Sequence, residues 1–182
     1  MSSLKVVAVS LALAGTLVAC ASQSMGPQST PTGPNLGRSA SPAEVKAWDI
    51  SIPPSGAGLP KGSGTAKQGA SVYAAKCQAC HGANGAGKPA DALVGGRGTL
   101  ASNNAVRTVG SYWPHATTLF DYVRRAMPTT APMSLTNDEV YAVSAYVLFL
   151  NGIIPEDQVM NAQTLPLVKM PNRDGFVDWS RK

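Results

Sequence analysis

The sequence predicts an all-α domain over residues 65–152, built on three main helices and flanked by extended arms at 44–64 and 153–182. Three observations point there. Thr65-Ala66-Lys67-Gln68 and Thr136-Asn137-Asp138-Glu139 are both capping boxes, in which the Thr hydroxyl takes the amide three residues on and the Gln or Glu side chain returns to the Thr amide. Each heads a run whose apolar residues recur at helical spacing. A shorter run from Thr118 to Ala126 turns Leu119, Tyr122 and Val123 inward and ends at Pro128. Strands alternating with helices, the mark of a parallel-sheet fold, are not seen.

Taken in order, Lys5 precedes Val6–Ala19, an apolar stretch interrupted only by Ser10, Gly15 and Thr16. At about 1.5 Å per residue it reaches about 21 Å, short of the roughly 30 Å hydrocarbon core, so residues 1–19 read as a signal peptide rather than a membrane span. The stretch ends in Leu17-Val18-Ala19-Cys20, which resembles a bacterial lipobox. That resemblance implies acylation of Cys20 and a lipoprotein anchored on the periplasmic side of a bacterial membrane. Residues 20–43, rich in Ser, Pro and Gly without apolar period, read as a flexible tether.

Between 44 and 64, Val45, Trp48, Ile50 and Ile52 are apolar, but Pro53-Pro54-Ser55-Gly56 and Gly58-Leu59-Pro60 oppose regular structure, so an extended arm is expected. In the helix opening at Thr65, the small Gly69 shares a face with Val72, Tyr73 and Cys77, which suggests close approach of another helix. Around Thr136, Leu135 and Val140 occupy the two positions of a hydrophobic staple; Tyr141 to Leu150 is almost wholly apolar, so this helix is buried, and Asn151-Gly152 stops it. Pro155, Pro166 and Pro171, with no sustained period between them, make 153–182 the second arm, and both arms are expected to contact a partner or to cover the small core.

Composition limits the function classes. The 182 residues include 18 Gly and 14 Pro, so much of the chain is turn, loop or arm. The net charge of +5 carries no Lys/Arg cluster beyond Arg124-Arg125 and Arg181-Lys182, so no nucleic-acid partner is expected. Three cysteines are too few for a disulfide scaffold.

Cys77-Gln78-Ala79-Cys80-His81 is the CxxCH pattern of covalent c-type haem attachment. Thiols at i and i+3 on one helical turn share a face and can reach the two vinyl groups on one haem edge, and the next residue brings an imidazole under the iron. At this chain's Cys and His frequencies a chance match is on the order of 1 in 1,000. A zinc site would need a second ligand pair, and only Cys20 and His115 remain. One covalent haem c is therefore expected, with His81 as an axial ligand. Two methionines, Met127 and Met133, are candidates for the other axial position, and a thioether there suits an electron carrier. Met127, in Arg125-Ala126-Met127-Pro128, is preferred; His115 is a third candidate. Arg97, Tyr112 and Trp113 are candidates for hydrogen bonds to the haem propionates.

The segment around CxxCH resembles class I cytochrome c over roughly residues 64 to 152, with Gly69 and Tyr73 matching the first helix and Tyr146 or Phe149 the aromatic of the last. A closer resemblance runs through Thr108-Val109-Gly110-Ser111-Tyr112-Trp113-Pro114, Asp121-Tyr122-Val123-Arg124-Arg125-Ala126-Met127-Pro128, Asn151-Gly152-Ile153-Ile154 and Lys169-Met170-Pro171-Asn172-Arg173-Asp174-Gly175-Phe176. These look like the cytochrome subunits of bacterial sulfite and sulfane dehydrogenases. The resemblance implies a sulfite-oxidase-type molybdenum subunit as partner, a downstream cytochrome or terminal oxidase as electron acceptor, Met127 as the axial methionine, and no catalysis by this chain alone. Sulfane dehydrogenase cytochromes commonly carry two haems, whereas this sequence has one CxxCH, which favours a monohaem form. The rival expectations are a free-standing carrier serving an oxidase, and a haem sensor or peroxidase-like domain with an open axial position.

Overall fold

The computed structural model describes residues 36–181. The chain divides into two units, Met1–Ser41 and Pro42–Lys182, and the second holds every regular element among the described residues. The signal-peptide, Cys20 and most tether assignments lie outside the described residues. No helix among those described is long and apolar enough to cross a membrane.

Among the described residues there are five α-helices: α1 (Pro42–Trp48), α2 (Ala66–Lys76), α3 (Gln78–His81), α4 (Ala116–Ala126) and α5 (Asn137–Leu150). Both capping boxes form. Thr65 accepts from the Gln68 amide at 3.3 Å while Gln68 Oε1 accepts from the Thr65 amide at 2.9 Å. At α5, Thr136 accepts from the Glu139 amide at 3.2 Å and Glu139 Oε2 accepts from the Thr136 amide at 2.8 Å. Helix α5 runs through the core, with Val140 to Ala145, Val147 and Leu148 buried. Helix α2 crosses it where side chains are smallest. A Cβ on Gly69 would stand 1.9 Å from the Ala142 carbonyl oxygen, so the two backbones meet there. Helix α4 packs Leu119 and Phe120 inward, and Phe120 lies against Tyr141 with ring centroids 4.4 Å apart.

Three differences from the sequence reading stand out. The arm at 44–64 is not wholly extended, because α1 begins at Pro42 and ends at Trp48. Ser41-Pro42-Ala43-Glu44 has the order of a capping box with Pro at the first helical position, which is the local reason. Secondly, the all-α description needs a small addition: β1 (Ser63–Gly64) pairs antiparallel with β2 (Met160–Asn161). Thirdly, the C-terminal arm is built into the core. Ile154, Met160, Leu165, Val168 and Met170 are all buried, and a 3-10 turn at Leu165–Leu167 places two of them.

From Ile50 the N-terminal arm is a strap tied by polar contacts to α4 and α5. The buried Asp121 of α4 accepts from the Ile52 amide at 3.0 Å and from Nε and Nη2 of Arg125. Tyr141 donates its hydroxyl to the Pro60 carbonyl at 2.9 Å, and burial pushes its pKa up to about 12. Asn137 and Asp138, in the first turn of α5, bond the Lys61 carbonyl and the Ser63 amide.

Candidate functional site

The Cys77–His81 motif forms its own turn. The chain breaks from α2 at Cys77, whose φ of −125° is outside the helical region, and α3 follows as a separate short helix. Both the Cys80 and His81 amides bond the Cys77 carbonyl, at 3.1 and 3.0 Å. The change of direction is held by Tyr73, which is buried in α2 and donates its hydroxyl to the Gly82 carbonyl at 2.9 Å. Burial raises the pKa of that phenol, so it stays a donor.

Cys77 packs against the core and is half-buried, while Cys80 is exposed. Neither is in a disulfide. Burial, and the Cys80 thiol beside it, push Cys77 up to about 11 against the pull of Lys76, so at neutral pH it is a thiol. Among the described residues no three His, Cys, Asp or Glu converge as a metal site, which leaves this motif without the partners of a zinc cluster.

The His81 ring sits in one orientation. Its Nδ1 lies 2.8 Å from the Asp91 carbonyl oxygen, and a carbonyl can only accept, so Nδ1 carries the proton and the Nε2 lone pair is left for a metal. The 82–98 loop is shaped around this bond. The Gly87 amide bonds the His81 carbonyl and the Ala90 amide bonds the Cys80 carbonyl, both at 2.8 Å. At Gly82 (φ 72°) and Gly96 (φ 72°) a Cβ would stand 2.4 and 2.2 Å from backbone oxygens, so only glycine fits these turns.

Met127 and Met133 occupy different settings. Met127 is the half-buried C-cap of α4, where its amide bonds the Val123 carbonyl and a cis peptide bond leads into Pro128. Met133 is 55% exposed with φ 61°. His115 is the N-cap at the other end of α4, about 18 Å from Met127 at 1.5 Å per residue. Its Nδ1 is buried without a partner among the described residues, and burial, with Arg173 nearby, lowers its pKa.

Each of the three propionate candidates has its own neighbours. Arg97 donates to the Asn151 carbonyl at 3.1 Å, Trp113 packs edge-on against Tyr122, and Tyr112 packs against Phe176 with the Arg107 guanidinium over its ring. Sequence reasoning missed Tyr73 as the residue that turns the motif and Asp91 as the acceptor for His81. The first is visible only as a helix-face aromatic, and the second acts through its carbonyl, which any residue supplies.

The donor set fits a haem c: two unpaired thiols three residues apart, an imidazole with a fixed Nδ1 proton, a thioether on the loop after α4, and half-buried Leu93, Val123, Trp113 and Phe149 packed on the core. Comparisons agree. Residues 64–147 match the family model described as cytochrome C oxidase, cbb3-type, subunit III. No curated protein matches the chain. A chain in the crystal structure of the sulfane dehydrogenase SoxCD from Paracoccus pantotrophus is 39% identical, with a TM-score of 0.74 over 81% of this chain and 73% of that one. With a likeness that reaches well beyond the CxxCH segment and a turn built to present His81, the chain belongs to the c-type cytochrome family that includes this chain of SoxCD.

Proposed function

We propose that the protein is a class I electron-transfer cytochrome carrying one covalent haem c, and that it serves as the cytochrome subunit of a sulfite or sulfane dehydrogenase. The observation that carries the first part is the His81 imidazole, fixed by its Nδ1 bond to Asp91 beside two free thiols at the spacing of a haem tether. When bound, the haem supplies a one-electron couple. Cys77 and Cys80 would hold it by thioethers, and His81 would ligate the iron through Nε2. Met127 would supply the other iron ligand, a role supported by its half-buried place at the end of α4, whereas Met133 stands at the surface. Arg97 has donors beyond the one it gives Asn151 and, with Tyr112 and Trp113, is assigned to the propionates. The chain then transfers electrons and catalyses no substrate reaction alone.

The second part is supported by the likeness to SoxCD, which extends past residues 64–147 into the arms; the oxidase-subunit model stops at the cytochrome segment common to both readings. Under this reading the protein accepts electrons from a sulfite-oxidase-type molybdenum subunit and passes them to another cytochrome or a terminal oxidase. Cys20 anchors it by lipid on the periplasmic side.

The ferric protein is expected to show near-red Met-to-iron absorption that Met127→Ala abolishes and Met133→Ala keeps. A high-spin, five-coordinate spectrum in the unaltered protein refutes the carrier reading. Reduction of the haem by a co-expressed molybdenum subunit plus sulfite or a sulfane donor tests the partner, and a haem that stays oxidised with both present refutes it.

A further inference from the structure

We propose that Asn151 is a positioning residue for the His81 ligand: its carboxamide, at the end of α5, clamps the loop whose Asp91 carbonyl holds the His81 ring, and so helps to set the reduction potential. The inference rests on the haem reading above. Every polar atom of the Asn151 side chain is engaged. Nδ2 donates to the Leu93 carbonyl at 3.1 Å and to the Val147 carbonyl at 2.9 Å, and Oδ1 accepts from the Gly95 amide at 3.3 Å. The carboxamide cannot be turned over, because Oδ1 would then face two carbonyl oxygens. The Asn151 backbone carbonyl adds a third tie to the same loop through Arg97.

This side chain is not needed to end the helix. Gly152, at φ 63°, closes α5 by itself: its amide bonds the Phe149 carbonyl at 2.8 Å and the Ile153 amide bonds the Leu148 carbonyl at 3.0 Å, a complete Schellman pair. Of the carboxamide's three bonds, one returns to Val147 of α5 and two, to Leu93 and Gly95, go to the loop. Leu93 is two residues from Asp91; the loop is held besides by the Ala90 amide to the Cys80 carbonyl at 2.8 Å on the other side of Asp91, by the Leu93 and Val94 amides to the Gly85 carbonyl at 2.9 and 3.3 Å, and by the Thr108 hydroxyl to the Gly95 carbonyl at 2.7 Å, so Asn151 supplies the ties of its C-terminal half to α5. Gly110 closes over the clamp from the far side. A Cβ there would stand 2.0 Å from Asn151 Oδ1, so the backbone leaves the carboxamide this one position.

The link to the iron is electronic as well as geometric. A firm hydrogen bond from Nδ1 to a carbonyl makes an imidazole the more basic ligand, which favours ferric iron. A loosened Asp91–Gly95 loop weakens that bond, favours the ferrous state and raises the potential.

The test compares midpoint potentials of the haem-loaded protein, Asn151→Ala, Gly110→Ala and, as a control for lost stability, Leu165→Ala, whose buried side chain makes no hydrogen bond to the loop. Asn151→Ala removes the clamp and Gly110→Ala displaces it with every partner still present. Both are expected to shift the oxidised-to-reduced ratio at fixed potential about threefold toward reduced, about 28 mV at 59 mV per tenfold for one electron. Leu165→Ala is expected to unfold earlier with its potential unmoved. If Asn151→Ala accumulates no haem protein, Asn151→Ser, too short to reach Leu93 or Gly95, is read in its place. Unmoved potentials in the clamp variants, or an equal shift in Leu165→Ala, overturn the inference. Amide exchange at Gly95 gives a readout that does not need haem: about fivefold or more acceleration in Asn151→Ala supports the clamp, and unchanged exchange removes it. A wild-type protein without covalent haem sinks the haem reading, a result distinct from any of these.

Discussion

Replacing Gly69 by Ala puts a methyl group into the crossing of α2 and α5. Its Cβ would stand 1.9 Å from the Ala142 carbonyl oxygen, 2.5 Å from the Ala142 carbonyl carbon and 2.8 Å from Tyr146 Cβ. Two of these three atoms are backbone of a buried helix, so no rotamer change relieves the clash. Ordinary contact begins near 3.4 Å, and the helices must part by about 1.5 Å, enough to forfeit more than half of the dispersion energy across the interface. Overpacking of this kind costs about 1–3 kcal/mol, and a backbone collision belongs at the upper end. Ala gains about 1 kcal/mol over Gly in a helix interior, which offsets part of it. The net loss is about 2 kcal/mol, or a Tm lower by about 4–8 °C for a domain of this size. Gly64→Ala meets the same residue, with its Cβ 2.5 Å from the Ala142 Cα and amide nitrogen, and lacks the helix-propensity offset, so it should cost at least as much. Urea unfolding followed by far-ultraviolet circular dichroism measures both. A Gly69→Ala protein as stable as the parent, or more so, refutes the close crossing.

Three further outcomes are expected. Glu139 accepts from the Thr136 amide and from Lys76 at 2.9 Å, and these bonds hold its carboxyl below the ordinary value. Its contribution is then fully present above pH about 4.5 and lost as pH falls through the folded value, so Glu139→Gln should cost up to about 1 kcal/mol at pH 7 and progressively less in acid. A cost independent of pH between 7 and 3 contradicts the pairing. Deleting residues 156–182 removes buried Met160, Leu165, Val168 and Met170, about 6–12 kcal/mol at about 1.5–3 kcal/mol each, which rivals the whole stability of a domain. That truncation should unfold the protein, whereas deleting 174–182, where Phe176 and Val177 are exposed, should leave a folded protein whose association with the proposed molybdenum subunit is weakened, as a pull-down would show. Full association after the shorter deletion removes the tail from the interface.

Much of this architecture was legible because it is local. Both capping boxes, the staple at Leu135 and Val140, the small Gly69 and the CxxCH turn are each set by residues within a few positions of one another. What was not legible is what only the folded chain brings together. Strands β1 and β2 are two residues long, too short to show alternation, and pair Ser63 with Asn161 across most of the domain. In the C-terminal arm, Met160, Leu165, Val168 and Met170 follow no helical or strand period, because each is placed by the surface it meets. Asp91 holds His81 through a carbonyl and leaves no mark on residue choice. Helix α1 is a different case: the Ser41–Glu44 pattern is local and stands in the sequence, but the reading of the segment as an arm rests on the prolines downstream alone.

Helix α5 joins the two kinds of information. Its first turn is tied to Lys61 and Ser63, its second turn meets α2 at Gly69, and its end clamps the 93–97 loop through Asn151. Ala142 and Asn151 are about 13 Å apart along the helix, so they act on different neighbours. One neighbour is α2, which leads into Cys77 and, through the Tyr73 hydroxyl, fixes Gly82 on the far side of His81. The other is the loop that accepts the His81 Nδ1 proton. The two thiols of the motif and the ring orientation of His81 are therefore referred to a single buried rod. Its near-complete burial, which sequence alone would read as a requirement of stability, is also what keeps those two references in register with each other.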